Sequence, residues 1–373
     1  MSIKTDYQHQ TNKQNATALE RIKLSLTGSL GTDKIFNYFE ADAPDFIQGK
    51  LNYLAELSLS NQDNQYPLLV IRSDLKGTRC LCPIPFNKEL SDSQALKLSV
   101  LLKPEQSYLE GWLLSDHAPK IKAELLFSNE TLTSGEFLIG NTASKAKNMN
   151  GINIAAKLET VELDAWISFL SAALEEKSVS SDGIGSSDYV VKKNDLVKQI
   201  HLDVNKLNAW GYLFHNNALV IQPVKDNWEI SINGGDAKGR VVIPDKDQAL
   251  TLDFETIRLR EISSLDTSEK ATTDENPDND NDSLDPSNFP LLAFRTQALI
   301  VDERSIGGWQ FNIVPNESGS VFKNIVGRIK DSKITGQLNW QYSDGIQSTI
   351  ATLSLKGKDI TPVFHAFELP VLF

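Results

Sequence analysis

The sequence predicts a mostly-β fold, largely antiparallel and with a few short helices, and three observations carry that prediction. Apolar and polar residues alternate with period two in one segment after another. Turns rich in Gly, Asn, Asp and Ser separate these segments, and helical spacing is evident in only two places. Alternation of this kind marks strands with one apolar and one wet face, an arrangement that antiparallel sheets tolerate.

The elements follow in order. Residues 1–19 are polar and rich in Gln, Asn and Thr, so a poorly ordered N-terminus is expected there. A first β segment spans 20–175 and opens on Ile22, Leu24 and Leu26, which alternate with Lys23, Ser25 and Thr27. Within it, residues 68–88 read as a strand, a turn at Ser73-Asp74-Leu75-Lys76-Gly77, a short second strand and an exit through Cys82-Pro83-Ile84-Pro85 to Lys88. Asp74 can bond its own backbone, and Gly77 can adopt a positive φ. Pro83 and Pro85 remove two donors, which predicts an extended edge closing a β-hairpin. Cys80 and Cys82, two apart in an extended strand, would hold their Cα atoms about 7 Å apart. That is the limit for a disulfide, so two small apolar fillers are expected.

Helical spacing of Trp166, Phe169, Leu170 and Ala173, with Asp164 as cap, predicts a helix near 163–177. Residues 176–188, rich in Ser, Gly and Asp, read as a loop. A second β segment over 189–262 carries Trp228, Ile230 and Ile232, then Leu250, Leu252 and Phe254, in alternation. Residues 263–283 hold seven acidic side chains and one lysine and predict a solvated, disordered insertion. A third segment, 284–373, carries Trp309, Phe311 and Ile313, then Ala351, Leu353 and Leu355. A short helix opened by Thr361-Pro362 and closed by Leu369-Pro370 is expected to end it.

Catalytic chemistry has no sequence support. None of the five histidines is paired at i, i+4, and no His-Glu-x-x-His is present. Gly183-Ile184-Gly185 lacks the third glycine of a dinucleotide loop, and neither a Gly-x-Ser-x-Gly elbow nor a phosphate loop occurs. No enzyme activity, metal or cofactor is expected. The net charge of −12 comes with no basic stripe, so no nucleic-acid partner is expected either. The sequence shows neither the apolar core of a signal peptide nor an apolar run long enough to span a membrane. What remains is much one-faced sheet, whose apolar side another sheet, helices or a non-protein partner must cover.

The run from Ser73-Asp74-Leu75-Lys76-Gly77 through Pro83 and Pro85 to Lys88 resembles a segment of the YhdP/AsmA-like family of bacterial envelope proteins. Cys82 stands where that pattern usually has Leu. The resemblance continues through Gly151-Ile152-Asn153-Ile154 with Asp164-Ala165-Trp166, then Asp203, Leu207 and Gly211. Gly239-Arg240-Val241, Phe289-Pro290, Gly308 and Gly336-Gln337-Leu338-Asn339-Trp340 extend it, so it covers about 20–373.

The resemblance implies a long twisted antiparallel sheet curled into an elongated apolar groove that conducts phospholipids between inner and outer membranes. Acyl chains would be the partners, with Leu24, Leu252, Phe254, Phe311, Leu353 and Leu355 lining the groove. It implies a periplasmic location and an inner-membrane anchor in the full-length family, whose members are much longer, so a segment of such a bridge is expected. A two-chain phospholipid exposes about thirty methylenes to water at ~0.8 kcal/mol each, roughly 20–25 kcal/mol that an apolar trough can offset. Two alternatives are a closed β-sandwich scaffold or adhesion module, and an outer-membrane protein assembly factor acting by strand addition.

Overall fold

The computed structural model describes residues 2–11, 18–38, 44–60, 65–116, 118–129, 131–143, 150–169, 196–244, 248–260, 289–343 and 346–368. The expected loop at 176–188, the acidic run at 263–283, Leu369-Pro370 and the helical stretch beyond 169 lie outside these residues. The chain forms two compact units, 1–202 and 203–373, divided within one strand.

Unit 1 holds β1 (Ser2–Thr11), β2 (Ala18–Gly31), β3 (Ile47–Ser60), β4 (Leu68–Ser73), β5 (Thr78–Cys80), β6 (Ala95–Leu102), β7 (Gln106–Leu114), β8 (Ile121–Ser128), β9 (Thr131–Ile139) and β10 (Gly151–Glu162). Pairing runs β1-β2-β3-β4-β6-β7-β8-β9 antiparallel, and β10 joins β9 in parallel. Residues 2–11 pair along β2, and the Thr and Tyr among them suit a strand. The strand β11 (Val197–Ala209) carries the division between units.

Unit 2 holds β12 (Tyr212–Val224), β13 (Asn227–Asn233), β14 (Ala237–Pro244), β15 (Leu250–Leu259), β16 (Leu292–Val301), β17 (Arg304–Asn316), β18 (Gly319–Ile329), β19 (Ser332–Ser343) and β20 (Ile346–Lys356). They pair in sequence order, antiparallel except for the parallel pair β15–β16. The predicted mostly-β architecture is therefore present, but as a mixed sheet. β10 runs parallel to β9 and β16 parallel to β15, where an antiparallel sheet was expected.

The 68–88 segment is not a hairpin. β4 pairs with Leu54–Ser58 and β5 with Ile47–Gly49, so both lie along the same strand, β3. The turn interrupts a strand path along β3 and does not reverse it. Its predicted chemistry is nevertheless in place. Ser73 Oγ accepts from the Leu75 N–H (3.0 Å), Asp74 Oδ1 accepts from the Lys76 N–H (3.1 Å), and Gly77 has φ +85°. Pro85 follows a cis bond within a turn, where an extended edge was expected. Cys80 and Cys82 form a disulfide with Cα atoms 5.3 Å apart, because the chain leaves the extended conformation after Cys80.

Lys88 is buried to 4% exposure, and its ammonium donates to the Thr78 (2.7 Å) and Glu89 (3.0 Å) carbonyls. Burial pushes its pKa down, partly opposed by Asp92, Asp74 and Glu89. Lys88→Met keeps the stem but strands those two carbonyls. It should cost about 1–3 kcal/mol in denaturant unfolding.

Among the described residues three short helices follow strands: α1 (Thr32–Tyr38), α2 (163–169) and α3 (Thr361–Ala366). The sequence reading missed α1, whose buried Thr32 donates to the Gly49 carbonyl (3.3 Å). In α2, Trp166 meets Phe86 (5.7 Å between ring centroids) and Phe169 meets Phe46 (5.0 Å). In α3, Thr361 is not the cap: Asp359 Oδ1 accepts from the Thr361 N–H (2.9 Å), and Pro362 sits in the first turn. Val363 is buried against Ile329 and Ile334, with Trp309 beside them.

Candidate functional site

Residues directly opposite in a sheet share a face, so strand register assembles the candidate surface. In unit 1 one row runs Leu24–Leu57–Leu69–Val100–Leu109–Leu125 across six strands and continues to Gly135 and Ile152. The neighbouring row on the same face runs Leu26–Ala55–Ile71–Leu98–Gly111–Ala123 and ends on Phe137 and Ile154. The first row's leucines and valine are half-buried, where a dry sandwich core would bury them fully.

The opposite face of unit 1 carries charge clusters among apolar residues such as Leu101, Trp112 and Leu126. Glu56 is held between Lys23 (2.5 Å) and Arg72, and these two cations keep its carboxyl below the ordinary range. Glu110, Glu124 and Glu136 are direct partners across β7, β8 and β9. Lys122 pairs with Glu124, and burial together with that carboxylate pushes the Tyr108 hydroxyl up to about 12.

Unit 2 repeats the division. One row runs Ile221–Ile230–Val241–Leu252–Phe294–Phe311. A second runs Leu219–Ile232–Gly239–Phe254–Thr296–Trp309 and continues through Gly327 and Ile334 to Leu355. A third passes Leu250, Leu292, Ile313, Phe322, Leu338 and Ala351, and Leu353 lies opposite Gly336 between the last two rows. The reverse face carries charge pairs, chiefly Arg295, whose guanidinium donates twice to Asp253 (2.8 and 2.6 Å).

Five of the six lining residues expected from sequence thus share one face of unit 2, and Leu24 lies on the apolar face of unit 1. Their accessibility differs. Leu252 and Phe311 are half-buried, Leu353 is 54% exposed on β20, and Phe254 is covered at 6% exposure. The turn residues Ser73, Asp74, Gly77, Pro83, Pro85 and Lys88 stay together in the kink between β4 and β6 and contribute no apolar surface to the rows.

Sequence reasoning missed Phe294 and Phe322. The rings of Phe254, Phe294, Phe311 and Phe322 lie in succession on β15–β18, with centroid separations of 6.3, 4.8 and 5.5 Å. Alternation in β3 and β8 could have revealed Leu57 and Leu125. Phe294 gave a weaker signal, because Ala293 beside it and the polar run Arg295-Thr296-Gln297 after it break the alternation.

The arrangement can shelter an apolar partner on one side while the other stays hydrated. Among the described residues no cluster of three or more His, Cys, Asp or Glu could hold a metal ion, and no helix is long and apolar enough to cross a membrane. A family described as YhdP protein matches residues 6–373. No curated protein and no solved structure matches the chain.

Proposed function

The chain belongs to the YhdP family, whose role is of the lipid-transport type, and we propose that its apolar sheet faces shield phospholipid acyl chains in transit between the inner and outer membranes. The observation that carries this reading is the half-buried state of the Leu24–Leu125 row in unit 1 and the Ile221–Phe311 row in unit 2, with charge pairs on the reverse face of each. A closed scaffold would hide such rows, whereas an acyl chain covers them reversibly. Hydrophobic attraction is non-directional, so neighbouring positions along a row hold a chain with similar strength and sliding meets low barriers. Head groups stay in water, and no reactive residue is required. The periplasm is the compartment this function needs.

Lipid extraction from the purified chain followed by mass spectrometry tests the reading. Phospholipid at one or more molecules per chain is the expected result; a protein purified free of phospholipid, and unable to acquire it from vesicles, would refute it.

A further inference from the structure

The phenylalanine row of unit 2 differs from the aliphatic rows beside it. Phe294 stacks on Phe311 with an interplanar angle of 22°, and Phe311 meets Phe322 on the next strand. Both flanks of this floor are covered. On one side Phe289, three residues before β16, reaches Trp340 of β19 (5.7 Å), and Leu292 and Ile313 are buried at 8% and 4% exposure. On the other side Phe367, at the end of α3, meets Trp309 edge-on (6.0 Å). Trp309 and Ile313 are four residues apart on β17, about 13 Å. On β17 the single row of Phe311 lies between them, and on β18 the floor steps over to Phe322, the register partner of Ile313.

Its length is informative too. From Leu252 on β15 through Phe294 and Phe311, then one row over to Phe322 and Leu338 on β19, the path crosses four strand spacings, ~19 Å, about the length of an extended sixteen-carbon chain. Aromatic rings offer larger contact areas than aliphatic side chains and, when stacked, little freedom to rearrange.

We propose that the row of Phe294, Phe311 and Phe322 is a resting position for one acyl chain, held more tightly there than on the aliphatic rows of β12–β14. This rests on the acyl-shielding function proposed above. The competing account is that the rings only stiffen the sheet where the β17–β18 and β18–β19 registers shift.

The test uses the purified full chain with phosphatidylcholine vesicles containing a phosphatidylcholine that bears a diazirine in one acyl chain. Adducts are mapped by mass spectrometry. Peptides carrying Phe294, Phe311 and Phe322 should be labelled at least about threefold more than those carrying Ile221 and Ile230, given the extra attraction of aromatic contacts. Phe294→Leu with Phe311→Leu should erase that excess without altering the melting curve; if the pair does not fold, Phe311→Leu alone is read the same way. Even labelling along the apolar face, or an excess that survives the substitution, overturns the resting position but leaves acyl shielding standing. Absence of adducts from that face overturns both.

Discussion

Leu252→Asp is expected to lower the phospholipid retained by the chain at least about tenfold, the effect of roughly 1.4 kcal/mol. Leu252 lies between Val241 and Phe294 on the apolar face and is only half-buried. In the lipid-free protein an aspartate there can still reach water, so the fold survives. With an acyl chain in place the carboxylate would be sealed against hydrocarbon, and burying an unpaired charge costs far more than the lost contact. Bound phospholipid and the melting midpoint, measured on the same preparation, separate the outcomes. Loss of lipid with an unchanged midpoint matches the account; a collapsed midpoint would make Leu252 a core residue. Thr251→Asp, on the opposite face, should change neither.

Asp236→Ala should destabilise unit 2 by about 2–4 kcal/mol, lowering its melting midpoint by roughly 5–10 °C. Asp236 sits in the turn between β13 and β14 and is almost fully buried. Its carboxylate accepts from the His215 backbone N–H (2.8 Å), meets the His215 ring (2.9 Å) and pairs with Arg260 (3.2 Å). Above the hairpin turn, the Leu213 N–H donates to the Arg260 carbonyl (3.1 Å), so the clamp ties β12 to the end of β15. Removing the carboxylate leaves several donors without an acceptor.

Acid should loosen the same clamp. Burial pushes the Asp236 pKa up, but the His215 N–H, its ring and Arg260 outweigh burial and hold it below the usual value. Asp253 is held low by Arg295, and Glu56 by Lys23 and Arg72. With folded pKa values depressed, the unfolded chain binds more protons in acid. The stabilisation is complete above the unfolded carboxylate values and is lost as pH falls through the folded ones. The melting midpoint should hold near neutrality and fall below about pH 4–5, and Asp236→Asn should remove part of that dependence. A midpoint indifferent to acid would contradict these pairings.

Period two made much of this legible in advance. Ile230, Leu252, Phe311 and Leu353 announce a one-faced sheet because strand side chains alternate whatever the strand pairs with. Pairing itself is less local. The Ser73–Gly77 turn has the same chemistry whether the chain folds back or continues along β3, so a kink was read as a hairpin. The parallel pairs β9–β10 and β15–β16 depend on where the chain re-enters the sheet. The irregular register between Phe322 and Ile325 breaks the alternation that would have placed Phe322 with Phe311. Burial was equally hidden, since Phe254 and Phe311 carry the same pattern yet only Phe254 is covered. The family resemblance raised what alternation could not, the proposal of a non-protein partner for the exposed rows.

Neighbouring residues Thr251 and Leu252 point to opposite faces of β15 and allow the most direct test of acyl shielding. A benzophenone amino acid placed at 252 in the full chain, exposed to phospholipid vesicles and irradiated, should yield a covalent lipid adduct, while the same group at 251 should not. Equal adducts from both positions, or none from 252 in a protein that remains folded, would contradict the assignment of the apolar face to lipid.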